Sequence, residues 1–332
     1  MKKHILYGMM MLAAAGTLAS CDDWTDPEAV GNHYGTIDEV NPPAYTQYLQ
    51  NLRDYRKNDH KRVYAWFDNK ASFASQADHV ATVPDSIDVL VLANPGDISQ
   101  EYLNEIDAKR GDTGMQTAYA ISYPAIRKAW ELEKELGSTT SWESYRDSEL
   151  TKQLGYFDNG GFDRIICVYE GRATSTLTES QKQEYLTDQA AFLAPFKTWV
   201  SLHLDKGFDL QCIPANIADK AVLDAASVIF LAESANATSV SEMEYIVTRN
   251  SADGNNAGKF AVMTSLPVLD PTQASVGYWA GGKYSSWETA RWARTSTVCA
   301  VGLTNLYDDY YNPDFIYPVC RGAIQILNPA AK

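Results

Sequence analysis

Eight short apolar runs recur along the chain: Arg62 to Phe67, Ser86 to Ala93, Gln116 to Ser122, Phe162 to Tyr169, Phe208 to Pro214, Ser227 to Ala232, Lys259 to Ser265 and Val298 to Leu306. Runs of this length and continuity suit strands covered on both faces. Between them apolar residues fall at three-and-four spacing, which predicts helices over Ser99 to Lys109, Ala125 to Leu136, Glu179 to Leu204, Asp219 to Leu223, Val240 to Arg249 and Ser285 to Ala293. Asn69 to Val83 carries the weakest helical pattern. Upstream, Tyr45, Tyr48, Leu49, Leu52 and Tyr55 predict an amphipathic helix over Tyr45 to Arg56 that docks on the domain. Eight strands each followed by a mostly helical crossover predict a closed parallel (β/α)8 TIM barrel, an α/β fold whose outer helix ring is incomplete where crossovers are short. Trp130, Trp142 and Trp199 fall in helical stretches and read as core.

The chain of 332 residues holds 28 basic and 42 acidic side chains, a formal charge of -14. With no local basic patch, this excludes nucleic acid as a partner. Residues 1–20 read as a lipoprotein signal peptide: Lys2 and Lys3 precede a short apolar stretch from Ile5 to Ala15, and Leu18-Ala19-Ser20-Cys21 has the form of a lipobox. The apolar stretch is shorter than the roughly 20 residues of a membrane span. Cys21 would then carry the lipid and anchor the protein to the membrane. Residues 21–43, rich in Asp, Gly, Asn, Thr and Pro, read as a flexible tether, and 44–332 as the barrel domain. Cys167, Cys212, Cys299 and Cys320 fit no zinc spacing and read as buried thiols.

In a barrel of this kind the ligand site lies at the loops that follow the strands. Those ends offer Trp66, Phe67 and Asn69, then Tyr123, Glu170, Glu233 and Asn236, and finally Asn305, Tyr307 and Asp308. Rings that stack on sugar faces, together with planar hydrogen-bonding groups, suit carbohydrate. Tyr278 and Trp279 sit in Gly277-Tyr278-Trp279-Ala280-Gly281-Gly282-Lys283, which has phosphate-loop spacing but continues with Tyr284 in place of Ser or Thr. They read as a stacking platform for sugar or as packing of the barrel rim. The histidines lack ligand spacing, so no metal is expected, and nothing calls for a cofactor.

The stretch from Gly160 to Gly171 reads as a buried strand opened by a glycine pair and closed by a carboxylate, Glu170. Together with Trp66-Phe67, Gly161-Phe162-Asp163, and the stretches Gly302 to Tyr311 and Ala323 to Ala330, it resembles glycoside hydrolase family 18, in the Bacteroidetes branch of endo-β-N-acetylglucosaminidases that act on N-glycans. Asp22 and Asp23 likewise resemble the acidic export signal of Bacteroidetes outer-membrane lipoproteins exposed at the cell surface. The resemblance implies a strand motif D-x-x-D-x-D-x-E whose Glu is the general acid and whose last Asp supports the substrate acetamido group. Glu170 and Asp163 match its outer positions, while Ile166 and Val168 occupy the inner two. The family's usual tyrosine near the end of strand six is replaced by Ala232-Glu233-Ser234-Ala235. The resemblance therefore implies a surface lipoprotein that binds N-acetylglucosamine-containing glycans for an outer-membrane Sus-type uptake system, with little or no hydrolysis. The alternatives are an active endo-β-N-acetylglucosaminidase using Glu170 with Asp163 or Glu233, and a structural surface module.

Overall fold

In the computed structural model, residues 41–252 and 254–329 are described; the signal segment, Cys21 and all but the last residues of the expected tether lie outside them. Contacts divide the chain into two units, Met1–Tyr48 and Leu49–Lys332. The first enters the described residues only as the start of helix α1 (Pro42–Lys57). That helix begins two residues inside the stretch expected to be tether.

The second unit holds eight parallel strands: β1 (Arg62–Phe67), β2 (Val89–Leu92), β3 (Gln116–Ser122), β4 (Arg164–Tyr169), β5 (Gly207–Cys212), β6 (Val228–Leu231), β7 (Phe260–Ser265) and β10 (Ala300–Thr304). They close a barrel in the order β1-β10-β7-β6-β5-β4-β3-β2. A hairpin of β8 (Tyr278–Trp279) and β9 (Lys283–Tyr284) stands apart. The glycine-rich stretch that has phosphate-loop spacing forms this hairpin.

Crossover helices are α2 (Gln100–Thr113), α3 (Tyr123–Glu135), α4 (Trp142–Gly160), α5 (Glu179–Leu202), α6 (Lys220–Ala225), α7 (Val240–Ala252) and α8 (Ser285–Ala293), followed by α9 (Leu306–Tyr310) and α10 (Pro318–Leu327). The link from β1 to β2 holds only two single-turn 3-10 segments, so the outer ring is incomplete there. Helix α4 is not among the helices that the apolar pattern delimits, although Trp142 at its start reads as lying in a helical stretch. Its buried face consists of Trp142, Arg146, Leu150 and Phe157, a stripe interrupted by an arginine. The glycine pair belongs to this helix, since Gly160 ends it and Gly161 caps it in the left-handed region at φ 59°. A Cβ is disfavoured in that conformation, which is why glycine stands there.

Strand alternation builds two cores. One face of each strand packs Phe67, Ile165, Cys167 and their neighbours under the helices. The other fills the barrel axis with Tyr64, Val91, Ile166, Val168, Phe230 and Met263. At the N-terminal end of the axis, Arg164 makes a bidentate pair with Asp209 at 2.6 and 2.8 Å, and Tyr64 donates to the same carboxylate at 3.0 Å. A methyl group on Gly207 would lie 2.3 Å from the guanidinium carbon, so the smallest residue makes room for the ion pair. Both charges are buried, and partners for both compensate their desolvation.

Candidate functional site

Three helices begin beside the ends of β3 and β4, and their first turns enclose a groove of about 960 Å³. The volume lies at the upper end of the range for small-molecule sites. Each helix start is fixed by local chemistry. Ser122 accepts from the Ala125 N–H at the head of α3, and Ser141 from the Ser144 N–H at the head of α4. Thr178 and Gln181 form a capping box on α5.

Asp188 of α5 joins the three. Its carboxylate accepts from the Tyr123 hydroxyl at 2.5 Å, the Trp142 indole N–H at 2.6 Å and the Arg146 guanidinium at 2.7 Å. Burial disfavours the charge of Arg146, but the carboxylates of Asp147 and Asp188 outweigh it and raise its pKa. Burial, with the negative charge of Asp188, likewise holds the Tyr123 hydroxyl in its protonated, donating form. Arg127 lies over the rings of Trp130 and Trp142 at 4.5 and 4.6 Å, and its guanidinium pairs with Glu131. The result is an aromatic and polar wall whose rotamers are locked before any ligand arrives.

Glu170 follows β4 on the rim of this groove. It is exposed, and among the described residues its carboxylate makes no hydrogen bond or ion pair. Its backbone is held instead: Asn216 donates to its carbonyl at 3.2 Å, and Gly171 turns the chain at φ 67°. The Tyr185 hydroxyl accepts from the Arg172 N–H at 3.0 Å immediately beyond. A Cβ on Gly171 would lie 2.8 Å from that hydroxyl, so the close approach needs glycine.

Beneath Glu170, Ile166 and Val168 point into the barrel and are buried in its apolar axis. Trp66, partly exposed at the end of β1, packs on this axis edge-on to Phe230 at 5.6 Å, whereas Phe67 is fully buried on the outer face. Asp163 lies at the opposite end of β4, where its carboxylate accepts from Arg110 and the Thr117 N–H. It cannot act with Glu170, because the length of the strand separates them.

Other expected contacts are already committed within the protein. Asn69 is fully buried and exchanges hydrogen bonds with Asn94, which clips the ends of β1 and β2 together and corrects its reading as a sugar contact. Glu233 pairs with Arg249 of α7. Trp279, partly exposed, donates its indole N–H to the Ala237 carbonyl at 2.9 Å, while Tyr278 is more exposed and lies 5.3 Å from Tyr284. Asp308 accepts from the Leu269 N–H, and Tyr307 shares a hydroxyl contact with Tyr311. Asn305 is half-buried at the head of α9 in the left-handed region, and Asn236 is exposed.

Of the expected site residues, only Tyr123 and Glu170 line the groove. Arg127, Trp142, Arg146, Tyr185 and Asp188 were not expected there. Trp142 had the signature of core, and it is in fact nearly buried with one edge on the groove. Among the described residues, no group of three or more His, Cys, Asp or Glu could hold a metal ion.

Residues 25–326 match the model of glycoside hydrolase family 18, BT1044-like. The chain belongs to this family. Solved structures agree on the fold. A selenomethionine form of BT1044 with a Glu-to-Gln substitution aligns with TM-score 0.57 at 14% identity, covering 88% of this family 18 chain and 95% of its own. Catalytic domain 2 of the group II chitinase of Ostrinia furnacalis aligns at 0.51 with 10% identity, covering 81% and 97%. The chitinase-like agglutinin of Robinia pseudoacacia aligns at 0.50 with 11% identity, covering 80% and 99%. No individually curated protein matches. Membership of the family supports a role in binding or hydrolysing glycans.

Proposed function

We propose that this chain is a surface lipoprotein, anchored through Cys21, that binds N-acetylglucosamine-containing glycans of the N-glycan type without appreciable hydrolysis. In this reading it delivers them to a Sus-type outer-membrane importer. The observation that carries the loss of hydrolysis is the pair Ile166 and Val168, aliphatic and buried under Glu170. Neither can accept a hydrogen bond from an acetamido N–H or offset the positive charge of an oxazolinium ring. Loss of one preorganised partner of this kind costs about 100- to 1000-fold in rate. The carboxylates that could substitute are engaged elsewhere, Glu233 with Arg249 and Asp163 with Arg110. Binding needs fewer groups, because a cleft keeps its rings and hydrogen bonds after losing those specific to the transition state.

The test is incubation of the purified protein with N-glycoproteins, with released glycans followed by mass spectrometry, alongside a glycan array. The expected result is array binding with no release. Release that disappears in Glu170→Gln would establish the hydrolase instead, and an array with no signal would leave a structural surface module.

A further inference from the structure

We propose that Gln211 of β5 reads the acetamido group of an N-acetylglucosamine unit seated at the axial mouth of the barrel, beside the place where Val168 stands on β4. The inference rests on the glycan-binding reading above and names a residue that gives that binding its chemical selectivity.

Strand alternation aims Gln211 inward. On β5, Phe208, Leu210 and Cys212 pack on the outer face. Asp209 therefore points to the axis, where Tyr64 and Arg164 hold it, and Gln211 points the same way one step nearer the C-terminal end. The strand register sets Gln211 beside Val168 of β4 and Phe230 of β6. Neighbouring strands lie about 4.8 Å apart, so the space over Val168 is within reach of a glutamine side chain. Phe230 in turn meets Trp66 edge-on, and Trp66 and Gln211 are both partly exposed where Phe230 is buried. A ring and an amide thus border the mouth above an apolar floor of Val168, Phe230 and Met263.

The other polar side chains that alternation turns inward at this level are engaged. Ser265 and Thr304, at the ends of β7 and β10, share a hydrogen bond at 2.9 Å, and Ser122 at the end of β3 caps α3. Among the described residues the Gln211 amide makes no hydrogen bond. An apolar residue would suit its neighbours better. The amide breaks the pattern of the axis with no gain in packing, which is where a functional group is expected.

A carboxamide suits this ligand for a chemical reason. It offers two N–H donors and a carbonyl acceptor, and an acetamido group presents one N–H and one carbonyl oxygen, either of which the side chain can meet. Being neutral, the amide holds the ground state of an acetylated sugar but supplies no charge to offset an oxazolinium ring. Recognition is kept while the cleavage chemistry is lost.

Titration calorimetry with tri-N-acetylchitotriose and cellotriose tests this, because these neutral β-linked chains differ only in carrying acetamido or hydroxyl groups at the second carbon of each ring. Wild type is expected to bind the chitotriose at least about 10-fold more tightly than cellotriose. Gln211→Leu, close in size, is expected to lose at least about 10-fold for the chitotriose while cellotriose stays within about 2-fold. The side-chain N–H pair of Gln211 in NMR spectra of the wild-type protein supplies a readout that needs no variant: it should shift with the chitotriose and stay in place with cellotriose. Equal wild-type affinity for the two sugars, chitotriose binding that survives Gln211→Leu, an equal fall for both, or an unmoved Gln211 amide would each overturn the assignment. Failure to bind the chitotriose in a protein that binds N-glycans on an array would also overturn it, whereas silence on the array as well would overturn the glycan-binding reading itself.

Discussion

Glu170 follows β4, and among the described residues nothing holds its carboxylate above the two aliphatic residues Ile166 and Val168. A general acid of the expected mechanism needs a partner that positions the acetamido group, and the side chains below it cannot serve. If Glu170 contributes only to the wall of a binding groove, Glu170→Gln preserves shape and hydrogen-bonding capacity. Its affinity for a neutral glycan should then stay within about threefold of wild type by calorimetry. The aliphatic pair was legible in the sequence, because the two-residue period of a strand fixes which side chains share a face. Asn69, Glu233 and Trp279 were not legible. Each is committed to a residue between 16 and 42 positions away, a pairing that only the folded chain creates.

At the scale of elements, most of the barrel strands were recognisable because each is a nearly continuous apolar run; β5, which carries Asp209 and Gln211, and β3, with Thr117, Ala118 and Ala120, were legible from their positions between helical patterns as much as from hydropathy. Helix α4 escaped because its buried stripe includes Arg146, whose burial makes sense only once Asp188 of α5 is beside it. The signals that could have found it are Ser141 as a cap and Gly161 as a left-handed stop. Removal of the axial ion pair tests how strands β4 and β5 are held. Arg164→Ala leaves the buried Asp209 without its counter-ion, with only the Tyr64 hydroxyl still donating to it, and should cost about 3–5 kcal/mol in urea unfolding.

The attachment of α1 is sensitive to pH through His60, which bonds Asp88 at 2.9 Å and the Asn58 carbonyl at 2.8 Å. Burial pulls its pKa down, but the hydrogen bond and charge of Asp88 outweigh it and raise it above 6.5. A raised pKa means that the folded state binds the proton more tightly than the unfolded chain. The stabilisation is therefore full below pH 6.5 and fades as pH rises through the higher folded value. Thermal unfolding of wild type and His60→Asn should differ most in mildly acidic buffer and converge in alkaline buffer. A gap that widens with rising pH would contradict this account.

The whole molecule is a family 18 barrel whose groove lies beside its axis. The fold was readable because eight apolar runs alternating with helical patterns admit few other closed arrangements. The groove was not, since it is assembled from the first turns of three helices, and its hub residue Asp188 looks in sequence like any polar position of an exposed helix face. The proposed anchor belongs to this scale too. Metabolic labelling with radioactive palmitate should mark the protein made in its native type of host and should be lost in Cys21→Ala. Retention of label in the variant would exclude that cysteine as the lipid site.

Binding without cleavage can be read in one measurement: native mass spectrometry of the protein mixed with an asialo N-glycopeptide and sampled over hours. The account predicts a persistent complex whose mass is that of protein plus intact glycopeptide. The contrary result is a decaying complex accompanied by free glycan and by peptide that retains a single N-acetylglucosamine, with both products absent in Glu170→Gln.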